Sequence, residues 1–552
     1  MTTLRRTLVA AAAAGIAFTS VADAQRATRT AAAKAPPAEK PIVAVLPVDE
    51  TPGDSVRAIV QRDLDYGDRL KPLALDASLL GPNAPTDGSV NYSFFAGFKV
   101  AAIVAPRRSS TGIRVAVYDV ATQRLLREAN FPVPEVPALR EQEIRDSVIR
   151  NWEQRDLESR AALVRTTFVR DSLVAAAAKR PPRNRKKREA EAAVRDSLMR
   201  EVAREDSALR ARIDQDITDR DEALVERVAQ DIFRRDSLAS AQRFAIHGIA
   251  DEVQQWLTGH RGVAQSRVAY VQNGQVWVID SDGANNRPAT ESGTALSPAW
   301  HPGGTRLVFT DMNDAGTQIV EANLVTGGLR ELSATPRGLN LTPIYTRDGR
   351  SVVYAHARDA GADLVIASLE EATPARRISS LELYDRLSPS FSPDGNSLTF
   401  ISPRSWDGTR MTPQLFTMNL DGSQEKQLTP SMKGVRSYRT GPDWSPDGTR
   451  VAYMQQNGDF QLWLIDMRTQ SMKRLTEFAE NEDPSWAPDS RHIAFTSTRG
   501  GTKEIWVMDV ETGRTRQLTN APGARLAAWS PVIQPAAAAP VTVVRRGDSG
   551  GK

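Results

Sequence analysis

Two residue types that often act as nucleophiles or bind metal ions, cysteine and histidine, are absent or rare in this chain. The sequence contains no cysteine, which excludes disulfide bonds, thiolate zinc sites and a cysteine nucleophile. No two histidines have the i, i+4 spacing that places two imidazoles on one helical face around zinc. The five histidines are His247, His260, His301, His356 and His492.

One short motif near the end of the sequence matches the nucleophile loop of chymotrypsin-like proteases. Residues 547–551 read Gly-Asp-Ser-Gly-Gly, with Ser549 as the candidate nucleophile. The motif follows a stretch rich in Ala and Pro, with no later sequence from which to build the strand or helix that positions such a serine. The repeated aspartates Asp394, Asp447 and Asp489 occupy Pro-Asp-Gly or Pro-Asp-Ser turns, which they stabilise. We therefore expect no catalytic residue, no metal ion and no cofactor.

The second half of the chain contains an internal repeat. Each copy begins with a proline, places an aromatic residue two positions later and continues into a turn such as Pro-Asp-Gly. A short apolar strand, an alternating strand and a fourth strand follow. Four strands repeated about every 40–50 residues are typical of the blades of a β-propeller. The copies start at Pro298, Pro343, Pro389, Pro442 and Pro484.

The first and last segments of the repeat region are predicted to form one blade together. Ser266–Val271, Gln275–Asp280 and Arg287–Thr290 have the patterns of the second, third and fourth strands of a blade that lacks its first strand. The missing strand is predicted at Ala527–Pro531, where the aromatic motif appears once more. The sequence therefore predicts a six-bladed β-propeller over residues 263–533, closed by its C-terminal strand.

A small α/β domain is predicted before the propeller, over residues 41–137 and 244–262. Ile42–Leu46 is a continuous apolar run, as in a strand buried on both faces. Asp54–Tyr66 has the apolar spacing of a helix. The predicted fold class is therefore α+β multidomain, a small α/β domain with an inserted helical hairpin followed by the propeller. Further strands are predicted at Val100–Val104, Ile113–Tyr118 and Arg124–Phe131.

Residues 138–243, which form the predicted insertion, differ in composition from the rest of the chain. They contain no glycine, only the adjacent Pro181 and Pro182, and many charges of both signs. Because this proline pair cannot lie inside a helix, two long antiparallel helices with a turn near 181–184 are predicted. A disordered charged linker is the alternative. The second helix carries an apolar stripe at Val194, Leu198, Val202, Leu209, Ile213, Ile217, Leu224, Val228 and Ile232.

The first residues of the chain have the pattern of an export signal. Arg5 and Arg6 precede an apolar stretch at Leu8–Phe18, and Ala22–Ala24 is a small-residue cleavage site. The apolar stretch is shorter than the roughly 20 residues that a membrane span needs. We expect residues 1–24 to be a signal peptide for the Sec route, with the twin-arginine route as the alternative, and we expect the protein in the periplasm.

Charge and hydropathy limit the partners of the remaining chain. The 71 Lys and Arg nearly balance the 67 Asp and Glu, for a formal net charge of +4, which argues against a dedicated nucleic-acid binder. No later segment is apolar enough to span a membrane. A flexible leader is predicted at 25–40 and a flexible tail at 534–552. The basic tip at 179–188 suits contact with an anionic envelope surface, and a solvated tip is the other interpretation.

Four segments, together with the order of the predicted domains, carry a family resemblance: Pro41–Pro47, Asp251–Gly259, Arg267–Val271 and Ala528–Pro531. They resemble the TolB family of the Tol–Pal system, which is periplasmic and has an N-terminal α/β domain and a six-bladed propeller. The resemblance implies a non-catalytic scaffold that binds an outer-membrane peptidoglycan-associated lipoprotein and other Tol system proteins. It also implies a role in envelope integrity and in outer-membrane constriction during cell division.

Two features depart from this family. The insertion at 138–243 has no counterpart in it. The family's mature N-terminus is a strand-forming segment that docks on TolA, whereas 25–40 is rich in Ala, Pro and Lys. An exported catalytic propeller of the lyase or lactonase type, with a metal ion in its axial channel, is the alternative function.

The loops between successive blades are the predicted partner-binding site. In a propeller, the loop from the outer strand of one blade to the inner strand of the next surrounds the central channel. Tyr and Arg recur at the same place in two of these loops, where turn chemistry alone favours Gly, Asn or Ser. We expect Tyr384, Arg386, Tyr438 and Arg439 to be the anchors. The full predicted set is Tyr384, Asp385, Arg386, Arg436, Tyr438, Arg439, Glu482, Asp483 and Arg525.

Overall fold

The structure is a computed structural model of the chain. Its described residues form two compact units, of which one is Pro134–Gln242 and the other contains the residues up to Val133 and from Arg243 onward. The structure describes residues 39–48, 55–73, 79, 83, 90–137, 140–178, 184–291, 293–313, 316–333, 338–358, 361–370, 374–378, 385–403, 412–430 and 437–533.

The N-terminal part of the larger unit is the predicted α/β domain. Its elements are β1 (Ile42–Val45), α1 (Ser55–Tyr66), β2 (Lys71–Pro72), α2 (Tyr92–Gly97), β3 (Val100–Ser109), β4 (Gly112–Asp119) and β5 (Arg124–Pro132). The sheet has the strand order β2-β1-β3-β4-β5, in which β1 pairs in parallel with β2 and β3, and β3, β4 and β5 are antiparallel. Val43 and Val45 pack with Ile59 and Leu64, and Ile249 from a later helix closes the core.

The predicted helical hairpin is confirmed as α3 (Glu141–Ala177) and α4 (Arg185–Thr258). The antiparallel pairing of α3 and α4 brings Arg140 within 3.2 Å of Asp231, and the hydroxyl of Thr166 within 3.5 Å of Asp206. The second helix does not end near 243. It continues through the segment predicted as the last helix of the α/β domain, because no proline interrupts residues 185–258.

The apolar stripe of α4 is only partly covered by α3. Val202 is buried, whereas Val194 is 61% exposed and Leu198 and Ile232 are each 42% exposed. A two-helix hairpin provides one neighbour per helix and so cannot enclose a wide stripe. Of the predicted basic tip, residues 184–188 are described and exposed, and 179–183 lie outside the described residues. None of the helices in the described ranges combines the length and apolar character of a membrane span.

Replacing residues 140–242 with a short Gly/Ser linker is expected to leave the melting temperature of the propeller unchanged. The reason is that Pro134–Gln242 forms a compact unit of its own. Thermal unfolding followed by circular dichroism measures this. A decrease of more than about 10 °C, which corresponds to several kcal/mol in a domain of this size, would contradict the prediction.

The predicted six-bladed propeller is confirmed as six four-stranded antiparallel sheets within the described residues. Blade 1 combines β29 (Arg525–Trp529) with β6 (Arg267–Gln272), β7 (Gln275–Asp280) and β8 (Arg287–Pro288). Blade 2 contains β9 (Ala295–Trp300), β10 (Arg306–Asn313), β11 (Gly316–Asn323) and β12 (Leu329–Glu331). Blade 3 contains β13 (Leu339–Tyr345), β14 (Ser351–Arg358), β15 (Gly361–Ser368) and β16 (Arg376–Arg377).

The remaining blades follow the same order from the inner to the outer strand. Blade 4 contains β17 (Leu387–Phe391), β18 (Ser397–Ser402), β19 (Gln414–Asn419) and β20 (Lys426–Gln427). Blade 5 contains β21 (Tyr438–Trp444), β22 (Arg450–Asn457), β23 (Asp459–Asp466) and β24 (Met472–Arg474). Blade 6 contains β25 (Asn481–Trp486), β26 (His492–Ser497), β27 (Glu504–Asp509) and β28 (Thr515–Gln517).

The repeated aromatic residues join neighbouring blades, as their spacing predicts. Trp300 of blade 2 donates its indole N–H to the carbonyl of Ala528 in blade 1, at 2.9 Å. Trp486 of blade 6 donates in the same way to the carbonyl of Asp443 in blade 5, at 3.1 Å. Both indoles are buried, so each blade depends on the next for its core.

Candidate partner-binding site at the propeller channel

The inner strands of the six blades surround a central channel with a cavity of about 450 Å³. Prolines from every inner strand or its following turn line this cavity, and their rings restrict the backbone of its wall. These prolines are Pro298, Pro302, Pro343, Pro389, Pro442, Pro446, Pro484, Pro488 and Pro531.

Each inner strand contains an irregularity at the same place. The pairing of the first two strands shifts register in every blade, as at Leu341–Ile344 in blade 3 and Glu482–Ser485 in blade 6. One residue per shift has a positive φ, which bends the strand as in a β-bulge and costs energy when that residue is not glycine. The six residues are Ser297, Thr342, Ser388, Gly441, Asp483 and Leu526, with φ between 49° and 59°.

This ring of bulges also lines the cavity and was not predicted from the sequence. The available signal was the residue just before the proline of each repeat, which is polar or glycine in five of the six blades. A residue that precedes proline normally has an extended conformation, so the sequence pattern gave no reason to expect a positive φ. The bulges place a ring of mostly short polar side chains on the channel wall.

Arg386 and Arg439 of the predicted rim are buried, in contrast to the exposed anchors that we expected. Arg386 pairs with Glu425 at 2.9 Å and with Asp363 at 3.4 Å. Arg439 donates to Gln414 at 2.5 Å and to Gln455 and the carbonyl of Pro430 at 2.9 Å. Both guanidinium groups therefore hold neighbouring strands together beneath the rim.

The other rim residues differ in what surrounds them. Tyr438 is half-buried, and its ring packs edge-on against Phe460 with 5.9 Å between ring centroids. Asp385 is half-buried and accepts the backbone N–H of Ala362 at 2.7 Å. Tyr384 and Arg436 lie outside the described residues. Tyr438 thus keeps a half-buried aromatic ring at the rim, and Phe478 in the loop into blade 6 is 65% exposed.

The loop into blade 6 forms a charged corner of the rim. Glu482 accepts a hydrogen bond from the ammonium group of Lys503 at 2.5 Å, and Glu480 lies 3.8 Å from the same group. Asp483 accepts from the hydroxyl of Thr496 at 3.3 Å. Burial raises the pKa of Glu482 and of Asp483, and repulsion from Asp483 raises that of Glu482 further. Lys503 was absent from the sequence prediction because it lies between the second and third strands of the blade.

The carboxylates along the channel wall already have hydrogen-bond donors. Asp443 accepts the backbone N–H of Trp486 at 2.7 Å and the hydroxyl of Ser390 at 3.1 Å, and its burial raises its pKa. Within the described lining, Asp443 and Asp483 are the acidic residues, and no histidine or glutamate accompanies them. This donor set differs from the converging His, Asp and Glu side chains that an axial metal site needs.

Two histidine and aspartate clusters lie where the α/β domain contacts the propeller. In the first, Asp63 of α1 lies 2.6 Å from Nδ1 of His247, and Asp282 lies 3.6 Å from its Nε2. Burial lowers the pKa of His247, but Asp63 and Asp282 outweigh it and the net shift is upward. Arg62 and Arg243 both pair with Asp282, so cations from the protein already neutralise this carboxylate.

The second cluster joins the same two parts of the chain. His492 lies 2.7 Å from Asp489 and 3.4 Å from Asp68. Asp68 also pairs with Lys40 and Arg514, each at 2.9 Å. Because the protein's own cations occupy these carboxylates, both clusters have the character of ion-pair networks rather than metal sites. The sequence did not reveal them, because their members come from distant parts of the chain.

The contacts of the α/β domain define the two ends of the channel. Among the described residues, the α/β domain contacts Asp282 in the turn between β7 and β8, and Arg514 in the turn between β27 and β28. It also contacts His492, which follows the turn between β25 and β26. The rim loops that carry Tyr438 and Asp483 lie at the opposite ends of these strands. The rim is therefore the face of the propeller that these contacts leave available.

Comparison with known proteins agrees with this architecture. "Tol-Pal system protein TolB" of Bordetella pertussis is 30% identical over 280 residues, which are 50% of this chain and 61% of that protein. The match thus spans less than two thirds of that relative. TolB from Acinetobacter baumannii has the same fold, with a TM-score of 0.60 at 18% identity over 89% of this chain and 97% of that one. "Uncharacterized peptidase YuxL" of Bacillus subtilis is 33% identical over 102 residues, or 17% of this chain and 16% of that protein.

One family model covers half of the chain. The model of the TolB beta propeller domain, PD40, matches residues 254–533. The match begins in the last turns of α4 and ends just after β29, so it includes the strand that closes the ring. This protein therefore belongs to the TolB beta propeller domain family.

Proposed function

We propose that this protein is a non-catalytic periplasmic scaffold of the Tol–Pal type. It binds an outer-membrane peptidoglycan-associated lipoprotein over the channel rim, together with other Tol system proteins, and supports envelope integrity and outer-membrane constriction during division. The observation that carries the proposal is the aromatic and charged rim on the face away from the α/β domain, where Tyr438 and Asp483 belong to inner strands that line the channel cavity.

The chemistry of the rim favours a protein partner over a small substrate. Tyr438 offers a half-buried aromatic surface, and the corner of Glu482, Asp483 and Lys503 offers charges of both signs. Aromatic anchors ringed by polar groups are typical of interaction hot spots. The carboxylates of the channel wall are engaged by backbone and hydroxyl donors, which gives the catalytic alternative no support of its own.

Truncating two half-buried side chains of the predicted rim is expected to weaken partner binding. Tyr438→Ala and Arg525→Ala should each cost about 1–2 kcal/mol of affinity, because each removes part of the surface at the channel mouth. Isothermal titration with the purified lipoprotein from the same organism, without its lipid anchor, measures this. Arg386 and Arg439 are left intact, because their removal would disturb the blades themselves.

The matched control is Arg350→Ala at the other end of the channel. Arg350 is an exposed arginine in the turn between β13 and β14, so its removal changes charge without touching the rim. Its affinity should equal that of the unmodified protein. If the Tyr438 and Arg525 variants bind as tightly as the unmodified protein and keep its melting temperature, the rim is not the binding site.

A further inference from the structure

The outward face of α3 carries large apolar side chains that the described residues of its unit leave largely exposed. Leu157 is 65% exposed, Val164 69% and Phe168 73%. On the same helix, Ser159 and Thr166 are each only 6% exposed and face α4. Between residues 157 and 168 the helix thus buries small polar residues and exposes large apolar ones, which is the reverse of the usual amphipathic arrangement.

The exposed residues have the spacing of a coiled-coil seam. Leu157, Ala161, Val164 and Phe168 follow one another in steps of four, three and four, which places them on one line along the helix. Ser159 and Thr166 are then on the opposite side, in agreement with their burial. We refer to these four residues as the outer seam.

The outer seam matches itself when it is turned by 180°. In an antiparallel pair of two α3 helices, Leu157 of one copy faces Phe168 of the other, and Ala161 faces Val164. In each facing pair the two residue numbers add up to the same total. This is the relation that a two-fold axis between two antiparallel copies of one helix requires. Each facing pair therefore combines side chains of suitable size: leucine lies opposite phenylalanine, and the small alanine lies opposite a β-branched valine.

The charges beside the outer seam fit the same arrangement. Glu158 and Arg165 occupy equivalent flanking places one heptad apart on one side of the seam. In the antiparallel pair, Glu158 of each copy lies beside Arg165 of the other, so two attractive contacts form across the axis. In a parallel pair, Glu158 would lie near Glu153 of the other copy and Arg165 near Arg160, so like charges would meet.

We propose that the outer seam of α3 pairs antiparallel with the outer seam of a second copy of this chain. The seam extends over about three turns of helix, roughly 16 Å. An interface this short is expected to give a weak dimer, with a dissociation constant in the micromolar range. The insertion is then an assembly element that adds self-association to a propeller scaffold.

Sedimentation equilibrium of the full chain over a concentration series tests this. Phe168→Glu should raise the dissociation constant at least about 30-fold, because the glutamate falls within the apolar row of both copies. The matched control is Val225→Glu on α4, where the side chain is 69% exposed but lies outside the seam. This variant should dimerise like the unmodified protein, and far-ultraviolet circular dichroism should show the same helicity for both.

A charge exchange tests the antiparallel direction. Glu158→Lys alone and Arg165→Glu alone should each weaken dimerisation about tenfold, because each places like charges together at both contacts. An equimolar mixture of the two single variants should recover nearly the original affinity. In the mixed pair, the introduced lysine of one copy meets the introduced glutamate of the other, and the unchanged Arg165 and Glu158 meet at the second contact. Failure of the mixture to recover, an unaffected Phe168→Glu variant, or a monomeric protein at about 100 µM would each overturn the proposal.

Discussion

A chain that ends after Gly523 is expected to lose its folded propeller, whereas a chain that ends after Ile533 keeps it. The shorter chain lacks β29, so β6 loses its pairing partner in blade 1. It also lacks the acceptor for Trp300 at Ala528, and the indole of Trp529, which donates to Ser266 at 2.8 Å. The ring then has an open blade between blades 6 and 2.

The loss of stability can be estimated from the side chain and the backbone groups that the truncation exposes. Trp529 is buried in the core that joins blades 1 and 6, and loss of one buried tryptophan alone costs about 3–5 kcal/mol. The unpaired backbone of β6 and the opened channel add to this. The total exceeds about 5 kcal/mol, which is comparable with the whole stability of an ordinary domain.

Thermal unfolding of the two truncated chains, followed by circular dichroism, is the measurement. The chain ending after Ile533 is the control, because it keeps the strand and the hydrogen bond from Ile533 to the carbonyl of Gln265. We expect its transition to lie more than about 10 °C above that of the shorter chain, if the shorter chain folds at all. Coincident transitions would show that the pairing of β29 with β6 adds little to the stability of the propeller.

The propeller was predictable from the sequence because a repeat displays the same physical requirement many times. Each blade needs a proline, an aromatic residue that reaches the next blade, and a tight turn. The closing strand was predictable for the same reason, since Ala528 and Trp529 repeat the pattern of the other inner strands. The helices of the insertion followed from the position of Pro181 and Pro182 and the absence of glycine.

The candidate site was less predictable, because burial depends on neighbours that are distant in sequence. Arg439 appeared as a surface anchor from its loop, but Gln414 of blade 4 and Gln455 of the adjacent strand β22 enclose it. Arg386 is enclosed in the same way by Asp363 and Glu425. A local pattern shows that a side chain is charged and lies near a turn. It does not show which strands will be placed on either side of it.

The contact of the α/β domain with the propeller is expected to weaken as the pH rises from about 6.5 to 9. Burial lowers the pKa of His492, but Asp489 and Asp68 outweigh it and raise the pKa to about 9. The folded-state pKa is thus above the unfolded value of about 6.5. A raised pKa contributes stability that is fully present below about pH 6.5 and is lost as the pH passes through about 9.

This shift corresponds to about 3 kcal/mol of stability, since each pKa unit is worth about 1.4 kcal/mol. His492 is only 2% exposed, so solvent screens the interaction little. The groups that face it are Asp489, Asp68 and Asp509, with Lys40, Arg491 and Arg514 balancing their charge.

The measurement is the free energy of unfolding in urea at several pH values between 6 and 10, for the unmodified protein and for His492→Gln. At pH 6 the variant should be less stable by about 3 kcal/mol, because Asp489 and Asp68 lose the positive charge between them. The difference should shrink steadily toward pH 10, where the imidazole of the unmodified protein is neutral as well. His260→Gln, at an exposed histidine, is the control and should show no such change.

The pH dependence shows whether His492 stabilises this network through its positive charge or only through its shape and neutral hydrogen bonds. If His492 acted only by filling space or as a neutral hydrogen-bond donor, the two stability curves would run parallel from pH 6 to 10. Converging curves instead require a proton that is bound in the folded state and released near pH 9. Because Asp68 belongs to the α/β domain and Asp489 to blade 6, that proton lies at the contact between the two, and its loss loosens that contact first.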